Sequence, residues 1–301
     1  MSYSGHKFLR ISFWRLRCFD CLACGSVGVF RTVGFELVPW YRLNVNFVMP
    51  ARLKKVAVVG ELGAAEFART RLGFFPDAQQ LEVLESSAKR GILNCLRQWG
   101  KSTVTAAKAV HRAYSRPGSL VLVASPVERQ SAEFIRKASE LVRRLKIRPR
   151  RDGDNATSLL FPNGSRIVGL PGTEATVRGF SAVSLILIDE AARVRDDLYS
   201  ALRPMLAVGD GDLWLMSTPH GQQGFFYETW MGSGEEWMRV SVPATECSRI
   251  SAKFLAEERA VMTSATFAQE YMCCFTGDGT EYFDRALVES AYDPDVTELK
   301  I

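Results

Sequence analysis

The stretch Val183-Ser-Leu-Ile-Leu-Ile-Asp189-Glu190-Ala-Ala192 decides the fold class, because an aliphatic run ends abruptly in two adjacent carboxylates. Runs such as Leu185 to Ile188 are typical of a central parallel strand that is covered on both faces. Acids at the carboxyl end of such a strand lie in the crevice where open α/β sheets bind ligands. One carboxylate can hold Mg²⁺ while the next polarises a water molecule. The alternative is an Asp-Glu pair that opens a helix, where acids suit the helix dipole.

A second motif, about ninety residues upstream, favours the ligand-binding interpretation. The segment Cys95-Leu-Arg-Gln-Trp-Gly-Lys101-Ser102-Thr103 follows an apolar run and precedes an Ala-rich helical segment, residues 104–114. This order of strand, loop, Gly-Lys-Ser and helix predicts a phosphate-binding loop, in which N–H groups at the helix start cradle phosphate oxygens. We expect Lys101 to neutralise the β- and γ-phosphates and Ser102 to complete the Mg²⁺ shell. The match is imperfect, because Cys95 stands where the consensus has its first glycine.

Four ordered segments resemble one known family. The loop Arg97-Gln-Trp-Gly-Lys-Ser-Thr103 resembles the variant phosphate loop of phage terminase large subunits, the ATPase motors that pump DNA into procapsids. The segments Gly172–Phe180, Ile188–Val194 and Leu215–Tyr227 resemble the family's Arg-Gly, acidic and coupling motifs, so that the resemblance covers roughly residues 60 to 290. It implies an α/β P-loop NTPase of the ASCE/RecA-like class, with a mostly parallel central sheet flanked by helices.

The resemblance also implies a role for each site residue. Asp189 would hold Mg²⁺, directly or through water, and Glu190 would orient and deprotonate the attacking water. Gln80 precedes the loop and would bind adenine, although an exposed helix glutamine is the alternative. The expected nucleotide-binding residues are Gln80, Arg97, Gln98, Trp99, Gly100, Lys101, Ser102 and Thr103, and the expected catalytic residues are Glu190, Lys101, Arg97 and Arg178. ATP with Mg²⁺ is the expected ligand.

Two further roles have structural alternatives. Arg178 is a candidate finger offered to a neighbouring subunit, or else a structural arginine paired with Glu174 or Asp189. Ser217 and Thr218 end a strand expected beside the acidic one and could couple the γ-phosphate state to the DNA-gripping surface. Their alternative role is a simple strand-ending turn that contains Pro219.

The remaining pattern predicts alternating strands and helices. Residues 119–125 and 212–217 are predicted strands, 236–242 is the predicted last strand, and 128–144 is a predicted amphipathic helix. Asn163-Gly164 predicts the turn of a hairpin. The basic run Arg143 to Arg151 could contact DNA phosphates, although a solvated helix end is the commoner meaning of such a run.

Composition and charge limit the class of protein. The chain has 301 residues and a formal charge of +5, and +4 of this lies in residues 1–48, so that net charge does not argue for DNA binding by the rest. No apolar run approaches membrane-spanning length. We expect residues 1–48 to be an irregular N-terminal extension that is not native, with Met49 as the alternative start. Residues 49–275 form the expected ATPase domain, and residues 276–301 resemble the linker to a nuclease domain.

The leading functional prediction is the ATP-hydrolysing motor domain of a viral or prophage terminase large subunit, without nuclease activity of its own. The alternatives are a helicase-like DNA translocase and an inactive prophage remnant that only binds partners. The resemblance implies double-stranded DNA, the portal protein and the terminase small subunit as partners, with a homo-oligomeric ring when assembled. No membrane partner is expected, and the expected location is the cytoplasm of the bacterial host, where the absence of a disulfide framework fits a reducing compartment.

Overall fold

The computed structural model describes residues 62–148, 150–152, 155–170, 172, 179–232 and 236–277. Strands and helices alternate along much of this part, as the sequence predicts for a parallel sheet. The helices are α1 (Ala64–Thr70), α2 (Ala78–Glu85), α3 (Lys101–Ser115), α4 (Glu128–Arg144), α5 (Asp196–Leu202), α6 (Gly224–Met231), α7 (Ala252–Val261) and α8 (Ser264–Met272). The strands are β1 (Arg90–Cys95), β2 (Leu120–Ala124), β3 (Arg150–Asp152), β4 (Asn155–Leu160), β5 (Arg166–Gly169), β6 (Leu185–Asp189), β7 (Asp212–Ser217) and β8 (Trp237–Val242).

The strands form one eight-stranded sheet in the order β3-β4-β5-β2-β6-β7-β1-β8. From β5 to β8 every neighbouring pair is parallel, whereas β3, β4 and β5 pair antiparallel. Strand β7 lies between the acidic strand β6 and the phosphate-loop strand β1. The insertion of one strand between these two is the arrangement of the predicted ASCE class, so the predicted fold class is confirmed.

The sheet is covered on both faces, which explains why its central strands are aliphatic. Leu185 and Leu187 of β6 point into a core that includes residues of α1 to α4, while Ile186 and Ile188 point into a second core that includes residues of α5 and α6. All four side chains are fully buried. Each such burial contributes about 1.5–3 kcal/mol, so the same residues that define the motif also stabilise the sheet.

Most elements agree with the sequence-based predictions. Helix α4 and strand β7 have the predicted bounds, and β4 and β5 form the predicted hairpin with Gly164 at φ +82° in its turn. Strand β8 pairs in parallel with β1 at the edge of the sheet. In the basic run, Arg144 donates hydrogen bonds to the carbonyls of Leu72 and Gly73, so this arginine has a structural role.

Other predictions fall on parts of the chain that the structure does not describe. The extension 1–48, its boundary at Met49 and residues 278–301 of the predicted tail lie outside the described residues. The predicted domain division therefore stays a prediction. Among the described helices, none combines the length and the apolar character that a membrane span requires.

Candidate nucleotide-binding site

Three parallel strands bring the sequence motifs together at one edge of the sheet. Strands β1, β7 and β6 are neighbours, and they end at Cys95, Ser217 and Asp189. Because the strands are parallel, the residues that follow them lie at the same edge. The sheet topology therefore explains how the phosphate loop, the acidic pair and the coupling motif meet although they are far apart in the sequence.

The phosphate loop is a tight turn that requires a glycine. After β1, residues Arg97–Trp99 form a single 3₁₀ turn, and Gly100 follows with φ +96° before α3 begins at Lys101. A Cβ at Gly100 would also lie 3.1 Å from Nε2 of Gln80, so both conformation and space favour glycine. In the first turn of α3 the N–H of Thr103 donates to the carbonyl of Gly100, whereas those of Lys101 and Ser102 have no helical acceptor and lie at the positive end of the dipole, which suits a phosphate.

Lys101 is buried, and its ammonium group lies between the acidic and coupling motifs. Its Nζ is 3.4 Å from Oε1 of Glu190 and donates a hydrogen bond of 3.3 Å to Oγ1 of Thr218. Thr218 in turn donates to the carbonyl of Cys95 at 3.1 Å, and Ser217 Oγ donates to the carbonyl of Thr218 at 2.7 Å. The strand-ending turn at Ser217 and Thr218 therefore also contacts the phosphate-loop lysine.

Ser102 and Asp189 form the polar pair that suits a divalent cation. Ser102 Oγ donates to Oδ2 of Asp189 at 3.0 Å. Burial, and secondarily the charge of Glu190, raises the pKa of Asp189, while Lys101 and the Ser102 hydrogen bond oppose this shift. The described residues contain no cluster of three or more His, Cys, Asp or Glu side chains. Because Mg²⁺ is usually held by one or two carboxylates together with substrate phosphates, this donor set fits Mg²⁺ delivered with a nucleotide.

Glu190 has an unusual backbone conformation. Its φ and ψ are 53° and 41°, in the left-handed region, which costs a non-glycine residue about 1–3 kcal/mol. Only a 3₁₀ turn, Ala191–Arg193, follows, and Glu190 makes no side-chain cap to it. The acidic pair therefore precedes a single 3₁₀ turn, with Glu190 at the N-cap position, and not an α-helix. The strained turn directs the Glu190 carboxylate to positions 3.4 Å from Lys101 and 3.6 Å from Arg193.

Gln80 is buried, so the alternative of an exposed helix glutamine is wrong. It is 2% exposed, and its Nε2 donates to the carbonyl of Trp99 at 2.9 Å. Its Oε1 accepts from the backbone N–H of Asp77 at 3.2 Å, within the capping box that begins α2. Both the nitrogen and the oxygen of the Gln80 side-chain amide are therefore hydrogen-bonded to the protein backbone. Adenine binding by Gln80 stays a prediction, and it would require the amide to exchange both bonds.

The other predicted nucleotide-binding residues differ in what they expose. The Trp99 ring is buried in the core, so only its main chain is available to a ligand, whereas Arg97 and Gln98 are exposed on the loop. Thr103 is half-buried in the first turn of α3, where its N–H donates to the carbonyl of Gly100. Arg178 lies outside the described residues, so its finger role and its structural alternative both stay predictions.

A cavity of about 440 Å³ adjoins the phosphate loop. It is lined by Leu96, Arg97 and Gln98, by residues 249–251, by Phe254 of α7 and by residues 270–271 of α8. Apolar and aromatic side chains beside polar ones are typical of small-molecule sites. The cavity therefore provides room beside the loop for a flat ring.

Sequence reasoning assigned no role to several residues at this site. Arg193 contacts Glu190 and lies 3.9 Å from Glu270 of α8, which also pairs with Arg97 at 2.9 Å. A basic residue three positions after Glu190 was a local signal for Arg193. No local signal pointed to Glu270, because it lies 173 residues from Arg97 and only the fold brings the two together.

Comparisons with known proteins agree with this geometry. The terminase large subunits of Thermus phage G20c and Thermus virus P23-45 are each 29% identical to this chain over 191 residues. These alignments cover 57% of the chain and 39% of each relative, so the match spans less than half of the relatives' length.

Solved structures share the fold. The large terminase ATPase domain of Thermus phage P74-26 superposes with a TM-score of 0.64 at 24% identity, covering 71% of this chain and 100% of that one. The large terminase of bacteriophage HK97 has a TM-score of 0.60 at 16% identity, covering 72% and 55%. The large terminase of a thermophilic bacteriophage, in complex with ADP, has a TM-score of 0.58 at 13% identity, covering 67% and 54%.

The family assignment rests on a model that matches most of the chain. The model described as "Terminase large subunit, T4likevirus-type, N-terminal" matches residues 95–290. The match begins at the end of β1 and includes the phosphate loop, the acidic pair and the coupling motif. The chain therefore belongs to the terminase large subunit family, in the part of it that corresponds to the N-terminal region.

Proposed function

We propose that this chain is the ATP-hydrolysing motor domain of a phage terminase large subunit, which drives DNA into procapsids. One observation carries the proposal. At the edge where β1 and β6 end, Lys101 lies 3.4 Å from Glu190 and Ser102 donates to Asp189 at 3.0 Å, so the two residues of the phosphate loop each contact one residue of the acidic pair. This set can bind a triphosphate, and it belongs to a chain of the terminase large subunit family.

The chemistry requires positioning and charge neutralisation more than covalent participation. The amides at the start of α3 and the Lys101 ammonium would bind the β- and γ-phosphates. Glu190 would orient the attacking water and accept its proton at a carboxylate oxygen. Thr218 would hold Lys101 in register, since its hydroxyl joins the lysine to the β1 backbone. Ser217 and Thr218 are therefore the residues that we expect to couple phosphate release to the rest of the motor.

Ser102 and Asp189 would hold Mg²⁺ together with phosphate oxygens. When bound, the ion neutralises charge on the phosphates. Its positive charge would also compensate the burial of the Asp189 carboxylate, which in the free protein raises the pKa of this group. The proposed contact with the ion would favour the ionised form of Asp189 although the residue is buried.

The nucleoside would occupy the cavity beside the loop. Phe254 and Tyr271 offer aromatic surface for the base, and the cavity adjoins Arg97 and Gln98, which precede the phosphate-binding amides. The engagement of both ends of the Gln80 amide by backbone favours this cavity over Gln80 as the region that contacts the base.

Transport of DNA would need partners beyond this chain. Double-stranded DNA, the portal protein and the terminase small subunit are the proposed partners, and a homo-oligomeric ring is the proposed assembly. Arg178 is the proposed finger that one subunit offers to the next. A finger supplies several kcal/mol of transition-state stabilisation, so we expect the isolated chain to be slow.

The test is ATP turnover by the purified protein with DNA and portal present. Glu190→Gln should lower kcat by at least about 100-fold, because a general base contributes that much, while nucleotide binding is retained. Lys101→Ala should lose both binding and turnover. Glu257→Gln, which removes an exposed carboxylate of α7, is the matched control and should hydrolyse ATP at the wild-type rate.

Two outcomes would contradict the proposal. Wild-type protein that binds ATP but shows no turnover with DNA and portal would favour the inactive remnant, which the intact catalytic set argues against. ATP-dependent strand separation without packaging would favour the helicase-like translocase, which membership of the terminase family argues against.

A further inference from the structure

Glu270 is an acidic residue of α8 whose side chain points to the phosphate loop. Its Oε2 lies 2.9 Å from Nε of Arg97, and its Oε1 lies 3.5 Å from Nη2 of the same arginine. The two contacts form a fork that suits a guanidinium and a carboxylate. The same Oε1 is 3.9 Å from Nη2 of Arg193. Glu270 thus joins the first residue of the phosphate-loop turn to the turn that follows the acidic motif.

These contacts complete a chain of alternating charges. Lys101 contacts Glu190, Glu190 contacts Arg193, Arg193 contacts Glu270, and Glu270 contacts Arg97. The chain contains three cations and two anions, so it has one positive charge in excess. Both of its ends, Lys101 and Arg97, lie on the phosphate loop. A triphosphate that enters the loop would compete with the two acids for these ends.

Glu270 is held in position from other directions. Its neighbour Gln269 accepts hydrogen bonds through Oε1 from the N–H of Gly221, in the loop after β7, and from Thr276, both at 3.3 Å. The next residue, Tyr271, donates to Oε2 of Glu258 on α7 at 3.0 Å. The Glu270 side chain is 19% exposed and that of Arg97 is 62% exposed, so the pair is shielded from solvent on the Glu270 side only. A supported side chain of this kind can set the position of its partners.

We propose that Glu270 is a positioning residue that restrains Arg97 and Arg193 before nucleotide binds. In the free protein the Glu270 carboxylate is the anion that pairs with Arg97. When a triphosphate binds, its phosphates replace Glu270 as the partner of Arg97. Glu270 also shares Arg193 with Glu190, at 3.9 and 3.6 Å respectively, so this arginine does not pair with the Glu190 carboxylate alone. The inference rests on the proposed ATPase function and adds a residue that none of the site motifs contains.

Loss of the Glu270 charge should change affinity and turnover in opposite directions. In Glu270→Gln, Arg97 has no competing anion, so the Kd for ATP should fall by up to about fivefold, as expected for a partly exposed ion pair. Arg193 then pairs more closely with Glu190, so kcat should fall by about three- to tenfold. A purely structural role for Glu270 would instead weaken binding.

The experiment measures binding of a fluorescent ATP analogue to the full chain, and turnover under the assembled conditions of the function test. In an Arg97→Gln background, Glu270→Gln should no longer tighten binding, because the competition has already been removed. Glu257→Gln is the charge-matched control and should leave Kd and kcat unchanged. Glu270→Asp retains the charge, so its Kd should stay near the wild-type value, and thermal melting confirms that each variant is folded.

The outcomes separate the two proposals. A wild-type chain that binds no nucleotide would overturn the proposed function, and the role of Glu270 with it. A wild-type chain that binds nucleotide, with Glu270→Gln at an equal or higher Kd, would overturn only the role of Glu270. The role of Glu270 would also be overturned if Glu270→Gln still lowered the Kd for ATP in the Arg97→Gln background. Equal Kd values for Glu270→Asp and Glu270→Gln would overturn it as well. A Glu270→Gln chain that does not fold leaves Glu270→Asp to decide: a Kd that departs from wild type by more than about twofold would then overturn the role.

Discussion

The two edges of the sheet both carry charged side chains around a cavity, but they use these charges differently. The cavity at the carboxyl edge is about 440 Å³, and one at the amino edge, near the starts of β1 and β7, is about 490 Å³. At the amino edge, Lys89 pairs with Asp210, and Arg112 pairs with Asp212 and donates to the carbonyl of Ser184. The cations named here are matched by acids or carbonyls of the protein itself.

The carboxyl edge carries one connected group of charges around a residue with a strained backbone. Three cations face two acids along the chain from Lys101 to Arg97, and Glu190 is in the left-handed conformation. The raised pKa of Asp189 adds a carboxylate that burial disfavours. A cluster of charges therefore does not identify a site by itself. The predicted phosphate-binding loop and the buried Asp189 carboxylate at the ends of parallel strands identify it.

The largest expected effect is on ATP turnover, and it is tested by replacing one lysine at each edge of the sheet. Lys101→Ala should lower ATP turnover by more than about 100-fold, because the ammonium contacts Glu190 and is the proposed partner of the phosphates. Lys108→Met, on the same helix α3, should leave kcat and the Kd for ATP within about twofold of wild type, because Lys108 bonds only to protein groups at the amino edge. Steady-state kinetics on folded protein measure both. Similar losses in the two variants would remove the functional distinction between the edges.

Lys108, at the amino edge, should make the free energy of unfolding depend on pH. Burial lowers the pKa of this lysine to about 8 from 10.5, although its ammonium donates to the carbonyls of Val83 and Ser86 at 2.9 and 3.3 Å. The unfolded chain therefore binds the extra proton between pH 8 and 10.5, so this group makes stability rise with pH in that window. The gain is about 3 kcal/mol at most.

Denaturant unfolding at about pH 7.5 and about pH 10 checks this prediction, since the two values lie on either side of most of that window. The free energy of unfolding of wild type relative to Lys108→Met should increase between the two pH values. Lys253→Met, which replaces a lysine with 87% side-chain exposure, should show no such change relative to wild type. An unchanged difference for Lys108→Met would mean that its burial does not disfavour the charged form.

A smaller effect is expected from the wall of the carboxyl-edge cavity. Phe254→Ala should raise the Kd for ATP by about fivefold, because one partly exposed aromatic contact with a base is worth about 1 kcal/mol. It should leave the Kd for inorganic triphosphate unchanged, since that ligand has no base. Phe75→Ala, at a phenylalanine that is 80% exposed elsewhere, is the matched control. Equal losses for both ligands would indicate that Phe254 shapes the loop and does not contact the base.

The smallest effect is expected at the exposed ion pair of the amino edge. Asp210→Asn should lower the free energy of unfolding only slightly, because Lys89 and Asp210 are both more than half exposed. Added salt should reduce the difference further, because exposed pairs are screened. Thermal melts at two salt concentrations measure it. A larger, salt-independent loss would show that the amino edge depends on this pair.

Much of the fold could be predicted from the sequence, because local patterns carried the information. The period of apolar residues indicated α4, and Asn163-Gly164 indicated the hairpin turn. The run before Asp189 indicated a strand that is buried on both faces. The strand order could not be predicted in this way, since no local pattern states that β7 lies between β6 and β1.

The candidate site shows the same division. Lys101, Ser102 and the acidic pair could be proposed because each belongs to a local motif. Gln80 was expected to bind adenine, with an exposed helix glutamine as the alternative. Adenine binding stays a prediction, and solvent exposure is excluded by the burial of Gln80 and its bond to Trp99. Such a contact is invisible in sequence, because the two residues lie on different elements.

The sequence by itself determined the residue types that can bind and hydrolyse a nucleoside triphosphate, together with the strands and helices that carry them. Hydrophobic period, glycine conformation and acid-base chemistry are local properties, so they can be inferred before the fold is known. The tertiary structure alone decided which charges face each other. Parallel pairing aligned the ends of β1, β6 and β7, and the packing of α8 brought Glu270 to Arg97. Long-range contacts of this kind depend on where whole elements pack, so they follow from the fold and not from any one motif.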